Sequence, residues 1–95
     1  MGDYVGYHGI HVALGYPQCA SIEWNPVTPR ADRVRVQAST CGCSQVIYEY
    51  CSAGGLFFVR RHDRTGDRMS VMESDWLIRR LTESLWLRIL NGEAR

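Results

Sequence analysis

The stretch RVRVQASTCGCSQVIYEYC, residues 33–51, constrains the fold more than any other part of the chain. Val34, Val36, Ala38 and Thr40 alternate with Arg33, Arg35, Gln37 and Ser39; past TCGCSQ, Val46, Tyr48 and Tyr50 alternate with Ile47, Glu49 and Cys51. A period of two is the mark of a strand with one buried face. Two such runs around a short connection predict an antiparallel hairpin. A three-residue loop of Gly42, Cys43 and Ser44 sets apolar against apolar, with Thr40 opposite Val46, Ala38 opposite Tyr48 and Val36 opposite Tyr50. A two-residue loop sets Val36 against Glu49 and is disfavoured. Around SAGG the same matching places Cys51 opposite Leu56, Tyr50 opposite Phe57 and Tyr48 opposite Val59. The predicted inner face is then Val34, Val36, Ala38, Val46, Tyr48, Tyr50, Phe57 and Val59. On the outer face, Ile47, Leu56 and Phe58 are more apolar than solvent exposure calls for, which suggests a second contact there.

The flanking segments extend this sheet. Ile10 to Leu14 and Cys19 to Trp24 read as a hairpin around GYPQ, where Gly15 and Pro17 supply turn geometry. NPVTPRAD carries two prolines, which cannot donate to a ladder, and is expected to cross one end of the sheet. After HDRTGDR, Met69 to Met72 are expected to form a last short strand. Ser74 to Leu90 has the pattern of a helix, with Ser74 as N-cap, Asp75 at the positive end of the dipole, and Asn91 and Gly92 as the stop; a break at Thr82 is the alternative.

On that helix Leu77, Ile78, Leu81, Leu85 and Ile89 fall in one stripe, sufficient to cover the tyrosine-rich face. Trp76, Trp86, Leu87 and Leu90 fall on the other side, among Arg79, Arg80 and Glu83. A helix apolar on both sides must bury the second against something, and one sheet offers one packing face. Either the helix breaks and folds both stripes inward, or Trp76, Arg79, Trp86, Leu87 and Leu90 meet a protein partner or a second copy in a homodimer, where Trp and Arg are common anchors.

Length and charge narrow the function classes. Ninety-five residues suit one domain, 1–95, and 45% hydrophobic with 22% charged residues is the balance of a folded globular chain. A net charge of +1 does not mark a nucleic-acid or membrane-surface binder. No segment has the apolar length of a membrane span, and the start lacks the pattern of a signal peptide. The expected location is cytoplasmic, where cysteines are reduced thiols or ligands rather than disulfides. All eleven basic residues are arginine, consistent with a GC-rich genome. There is no phosphate-binding glycine loop, nucleophile elbow, metalloprotease helix or paired carboxylates, so the expectation is a non-enzymatic chain.

Two further clusters carry chemistry. Three of the four cysteines lie between Cys41 and Cys51. Cys41 and Cys51, on one face but roughly 20 Å apart along the ladder, cannot share a metal whose sulfur ligands sit about 2.3 Å away. Cys41 and Cys43 could share one with Cys19 and a histidine, His8 or His11, making a small zinc-binding domain; reduced thiols near a turn are the plainer reading. His8 and His11 precede Cys19, but only sequence proximity suggests a thiol nucleophile. Arg60, Arg61 and Arg64, near His62 and Arg68, could hold phosphates of a nucleic acid, yet Asp63, Asp67, Glu73 and Asp75 interleave with them and offset most of their field.

The segments YEYCSAGGLFFVRR and LTESLWLRILNGEAR resemble small actinobacterial proteins with a strand pair, a turn and a terminal helix, and loosely the small companions of helix-turn-helix regulators in those bacteria. The resemblance covers the C-terminal half. It implies a regulatory or adaptor role and brings no catalytic residue. The expected fold is α+β: an antiparallel meander of about five strands with one C-terminal helix packed on one face. The expected function is a protein-interaction module that self-associates through that helix.

Overall fold

A computed structural model describes residues 10–13, 19–27 and 33–95. Its centre is the meander that the alternating sequence predicts. β2 (Arg35–Ser39), β3 (Val46–Ala53), β4 (Leu56–Asp63) and β5 (Ser70–Glu73) follow one another, and the short β1 (Asn25–Pro26) adds to the far side of β5. The order is β1-β5-β4-β3-β2, with every pair antiparallel. α1 (Arg79–Leu90) packs on one face, so the architecture is α+β as expected.

The two hairpins close differently from the sequence-based register. β3 and β4 pair Ala53 with Leu56 and Tyr50 with Val59, two residues from the expected alignment. Gly54 and Gly55 form a two-residue turn with φ of 58° and 81°, a left-handed pair that glycine adopts without strain and that follows the twist of the strands. A slip of two keeps every side chain on its predicted face. β2 and β3 pair Ala38 with Tyr50 and Ser39 with Glu49, again two residues off, because the connection takes up residues 40–45 rather than three. Between Val36 and Ala38 the ladder bulges. A one-residue bulge swaps the faces beyond it, which corrects the placement of Val34 and Val36. Val36 is half exposed and Val34 packs on the opposite side, against Cys51, Ala53 and Phe58.

The inner face otherwise carries the expected residues. Tyr48, Tyr50 and Val59 are buried, with Ala38, Val46 and Phe57 packed beside them. Their cover is different from the predicted stripe. α1 begins at Arg79, because Ser74 to Ile78 continues along β4 instead of turning into helix. The N–H of Val59 donates to Ser74 Oγ at 2.8 Å, and Leu77 exchanges two backbone bonds with Phe57. Ser74 therefore caps a strand. Leu77 lies outside the helix, and Ile78 and Leu81 are left about half exposed. The buried face of α1 is Thr82, Trp86 and Ile89, and the helix runs unbroken through Thr82, whose hydroxyl donates to Phe57 O at 3.1 Å. Trp86 stacks on Tyr50 with ring centres 5.8 Å apart. Asn91 and Gly92 end the helix as expected: the N–H groups of Gly92 and Glu93 return to Ile89 O and Arg88 O, with Gly92 at φ 75°.

The N-terminal segments cover the rest of this face. Val12, Ile22 and Trp24 pack on the tyrosines, and Trp24 meets Tyr48 at 6.1 Å. Residues 10–13 and 19–24 do not form the expected strands: Ile10 pairs in parallel with Thr40, and Ala20 pairs in parallel with Ala94 of the C-terminal tail. The predicted turn at Gly15 and Pro17 lies outside the described residues, as do residues 28–32 of NPVTPRAD. Asn25 and Pro26 of that segment form an edge strand, where a proline forfeits no ladder bond.

Candidate functional site

Trp76 and Trp86 both turn inward, one on each face of the sheet. Trp86 is 7% exposed in the helix-covered core. Trp76 stacks face to face on Phe58, ring centres 4.4 Å apart and planes within 3°, and its Nε1 donates to Glu73 Oε1 at 2.9 Å. It covers the apolar outer patch around Cys51 and Phe58, both fully buried. Leu90 packs on the core margin. Of the residues expected to present a partner surface, Leu87 is 58% exposed, and Arg79 reaches over the Phe57 ring at 5.3 Å and toward Glu83 at 3.9 Å.

The arginine cluster is dispersed by the pleat. Arg60 and Arg61 are neighbours on β4 and so point to opposite faces. Arg60 lies over Phe58 at 5.7 Å and 3.8 Å from Glu49, whose Oε1 also meets His62 Nε2 at 2.8 Å. Arg61 covers Trp24 at 4.8 Å. Arg64 reaches back to the β2–β3 connection, donating to Gly42 O at 2.7 Å and Ser44 O at 2.5 Å. Each guanidinium has a contact within the described residues, and the three are spread over both faces of the sheet and the β2–β3 connection.

The cysteine cluster is brought together. His11, Cys41 and Cys43 place their ligand atoms within 4.8 Å of one another, the grouping of metal-ligating side chains found among the described residues. Cys41 Sγ donates to Cys43 Sγ at 3.2 Å, and Cys43 Sγ lies 3.8 Å from His11 Nε2. Cys19 is outside the group, and His8 lies outside the described residues. None of the four cysteines is in a disulfide.

Contacts remote in sequence build this site. The N–H of Cys41 donates to Ile10 O at 2.7 Å, which fixes His11 beside the connection. Thr40 Oγ1 accepts the Tyr48 N–H at 2.9 Å, anchoring the start of the loop, and Arg64 holds its middle. Arg64 is itself placed by its N–H bond to Gln45 O at 2.9 Å and by the turn around it, where Asp63 Oδ1 accepts the hydroxyl and N–H of Thr65 at 2.6 and 2.9 Å; these bonds hold the Asp63 carboxyl below its ordinary range. Cys41 is buried and Cys43 exposed. The Cys43 thiol is pushed above the ordinary thiol range, first by its hydrogen bond with Cys41, then by desolvation and the nearby Cys41 charge. Beside the cluster a cleft of about 310 Å³ is lined by Val12, Ser44, Val46, Tyr48 and Arg95.

Two thiols and one imidazole are a zinc donor set. Tetrahedral coordination with Zn–S near 2.3 Å sets two sulfurs about 3.8 Å apart, so Cys41 and Cys43 need open by only about half an ångström to admit the ion. The CGC spacing was legible in the sequence, but Thr40, Arg64 and Ile10, which shape the loop, carry no local signal. No family model, no curated protein and no solved structure matches the chain.

Proposed function

We propose that the protein is a small zinc-binding module in which His11, Cys41 and Cys43 hold the ion and so tie the N-terminal segment to the end of the sheet. The observation that carries this reading is the convergence of those three ligand atoms from segments about thirty residues apart in the chain, within 4.8 Å. Cys19 is not a ligand in this proposal. Three protein ligands leave a fourth position for water or for a group on a partner. We read the role as structural or regulatory rather than enzymatic, in a reducing compartment such as the cytoplasm. The Cys43 thiol is raised above its ordinary range, so the thiolate fraction is small at neutral pH: too small for a dedicated enzymatic nucleophile, though slow thiol–disulfide exchange stays open to it. An adaptor role, as in the companions of helix-turn-helix regulators, fits such a module.

The test is zinc stoichiometry by native mass spectrometry, with affinity measured by competition against a colorimetric chelator. One zinc per chain is expected, lost in His11→Ala and Cys43→Ser and kept in Cys19→Ser and Cys51→Ala. Failure to bind zinc at micromolar concentration, or binding indifferent to His11 and Cys43, overturns the proposal.

A second reading, self-association through α1, is favoured by the exposure of Ile78, Leu81 and Leu87. The same spectra test it. A dimer that Leu87→Glu dissociates supports a helix contact; a monomer at tens of micromolar removes it.

A further inference from the structure

We propose that Cys41 and Cys43 form a redox-active pair with fixed roles, Cys43 as the attacking thiol and Cys41 as the resolving one, and that low-molecular-weight disulfides oxidise it. The two sulfurs are already 3.2 Å apart, against about 2.05 Å in a disulfide. Residues two apart in a turn also bring their Cα atoms within the roughly 7 Å that a disulfide spans. Access assigns the order. Cys43 is exposed and can reach a soluble disulfide, whereas Cys41 is 7% exposed, screened from solvent, and has Cys43 Sγ 3.2 Å away.

The chemistry balances as two exchanges. The Cys43 thiolate attacks one sulfur of a disulfide RSSR, whose S–S bond breaks as the Cys43–SR bond forms and RS⁻ leaves to take up the Cys43 proton. Cys41 Sγ then attacks Cys43 Sγ, expelling the second RS⁻, which takes up the Cys41 proton. The protein loses two electrons and two protons to RSSR, which becomes two RSH. A ring closed over a single intervening residue is strained, so this disulfide is of the easily reduced, reversible kind. Cys51 cannot join, being fully buried on the other side of the sheet from the helix.

A consequence for zinc rests on the function proposed above: oxidation removes two of the three ligands, so one disulfide formed should release one ion.

The experiment treats chelator-stripped, folded protein with oxidised glutathione, quenches with acid, alkylates the remaining thiols and maps them by fragmentation. The expected product is a Cys41–Cys43 disulfide reversed by reduced glutathione. Cys41→Ala should stall as a glutathione adduct on Cys43, and Cys43→Ser should leave Cys41 unmodified; circular dichroism of both variants establishes that they are folded. Alkylatable Cys41 and Cys43 after wild-type treatment, or an adduct on Cys41 in folded Cys43→Ser, overturns the proposal. A parallel zinc-loaded sample with a fluorescent zinc indicator separates the two ideas. Dithiol oxidation in a protein that binds no zinc removes the metal reading alone; zinc binding with an inert dithiol removes this inference alone.

Discussion

The two connections of the central meander reach the same topological end by opposite means. The β3–β4 turn is local: two glycines at positive φ reverse the chain, and the strands beside them pair without a break from Ala53–Leu56 to Val46–Asp63. The β2–β3 connection is borrowed. Residues 40–45 have no glycine pair at positive φ: one local turn bond, from the Ser44 N–H to Cys41 O at 3.3 Å, is supplemented by Ile10, Tyr48 and Arg64, partners between eight and more than thirty residues away. A locally encoded turn is stable whatever surrounds it. A borrowed one answers to whatever strengthens or removes its partners, which is the property a binding site needs.

Four changes sharpen or break that contrast. The largest effect should come from zinc. At a thousandfold excess over the dissociation constant it should add about 4 kcal/mol to stability, read as a raised Tm, with new amide protection at the β2–β3 connection and little change at Gly54 and Gly55; His11→Ala should abolish both. Next is Cys51, on the strand between the turns, which serves as the inert thiol. Burial raises its pKa from an ordinary 9.0 to about 11. The folded chain holds that proton more tightly than the unfolded chain, so its share of stability is complete below pH 9 and is lost as pH rises toward 11. Chemical denaturation across this window should show a decline about 2 to 3 kcal/mol smaller in Cys51→Ala than in the wild type. Gly55→Ala, at φ 81°, should cost about 1 to 2 kcal/mol with or without zinc, which identifies the turn as independent of the site. Arg64→Ala should cost only about 1 kcal/mol of stability, because its bonds lie at the surface, yet weaken zinc binding several-fold; equal affinity in the variant would show that the loop holds its own shape.

The same contrast explains what was legible in the sequence. Alternation at Tyr48, Tyr50 and Val59 named their face correctly, because errors of two residues in register leave face assignments intact. The bulge near Gln37 was not legible. Gln37 carries no glycine or proline signal, and its amide instead donates to Ser52 Oγ at 2.8 Å. The helix start failed for a related reason. Ser74 and Asp75 look like a cap, but Ser74 spends its hydroxyl on a strand N–H, a non-local bond that outweighed local preference. With the helix starting at Arg79, Leu77 pairs with Phe57 rather than lying in the helix, and the side that α1 turns to the sheet is Thr82, Trp86 and Ile89, so Trp86 is core rather than surface. Half of the site was readable from CGC and His11. Cys19 stands outside the group of His11, Cys41 and Cys43, next to Ala20, which pairs with Ala94 of the C-terminal tail; distance along the chain carries no sign of that pairing.

The bulge between Val36 and Ala38 also bears on how the molecule behaves in a crowded solution. β2 is one rim of the sheet and β1 the other. An unbroken rim of backbone donors and acceptors is a template on which further chains can stack into fibrils. Here one rim is interrupted by the bulge and bears the charge of Arg35, and the other is two residues long and ends in Pro26. Among the described residues, the sheet therefore gives a second copy little to add a strand to.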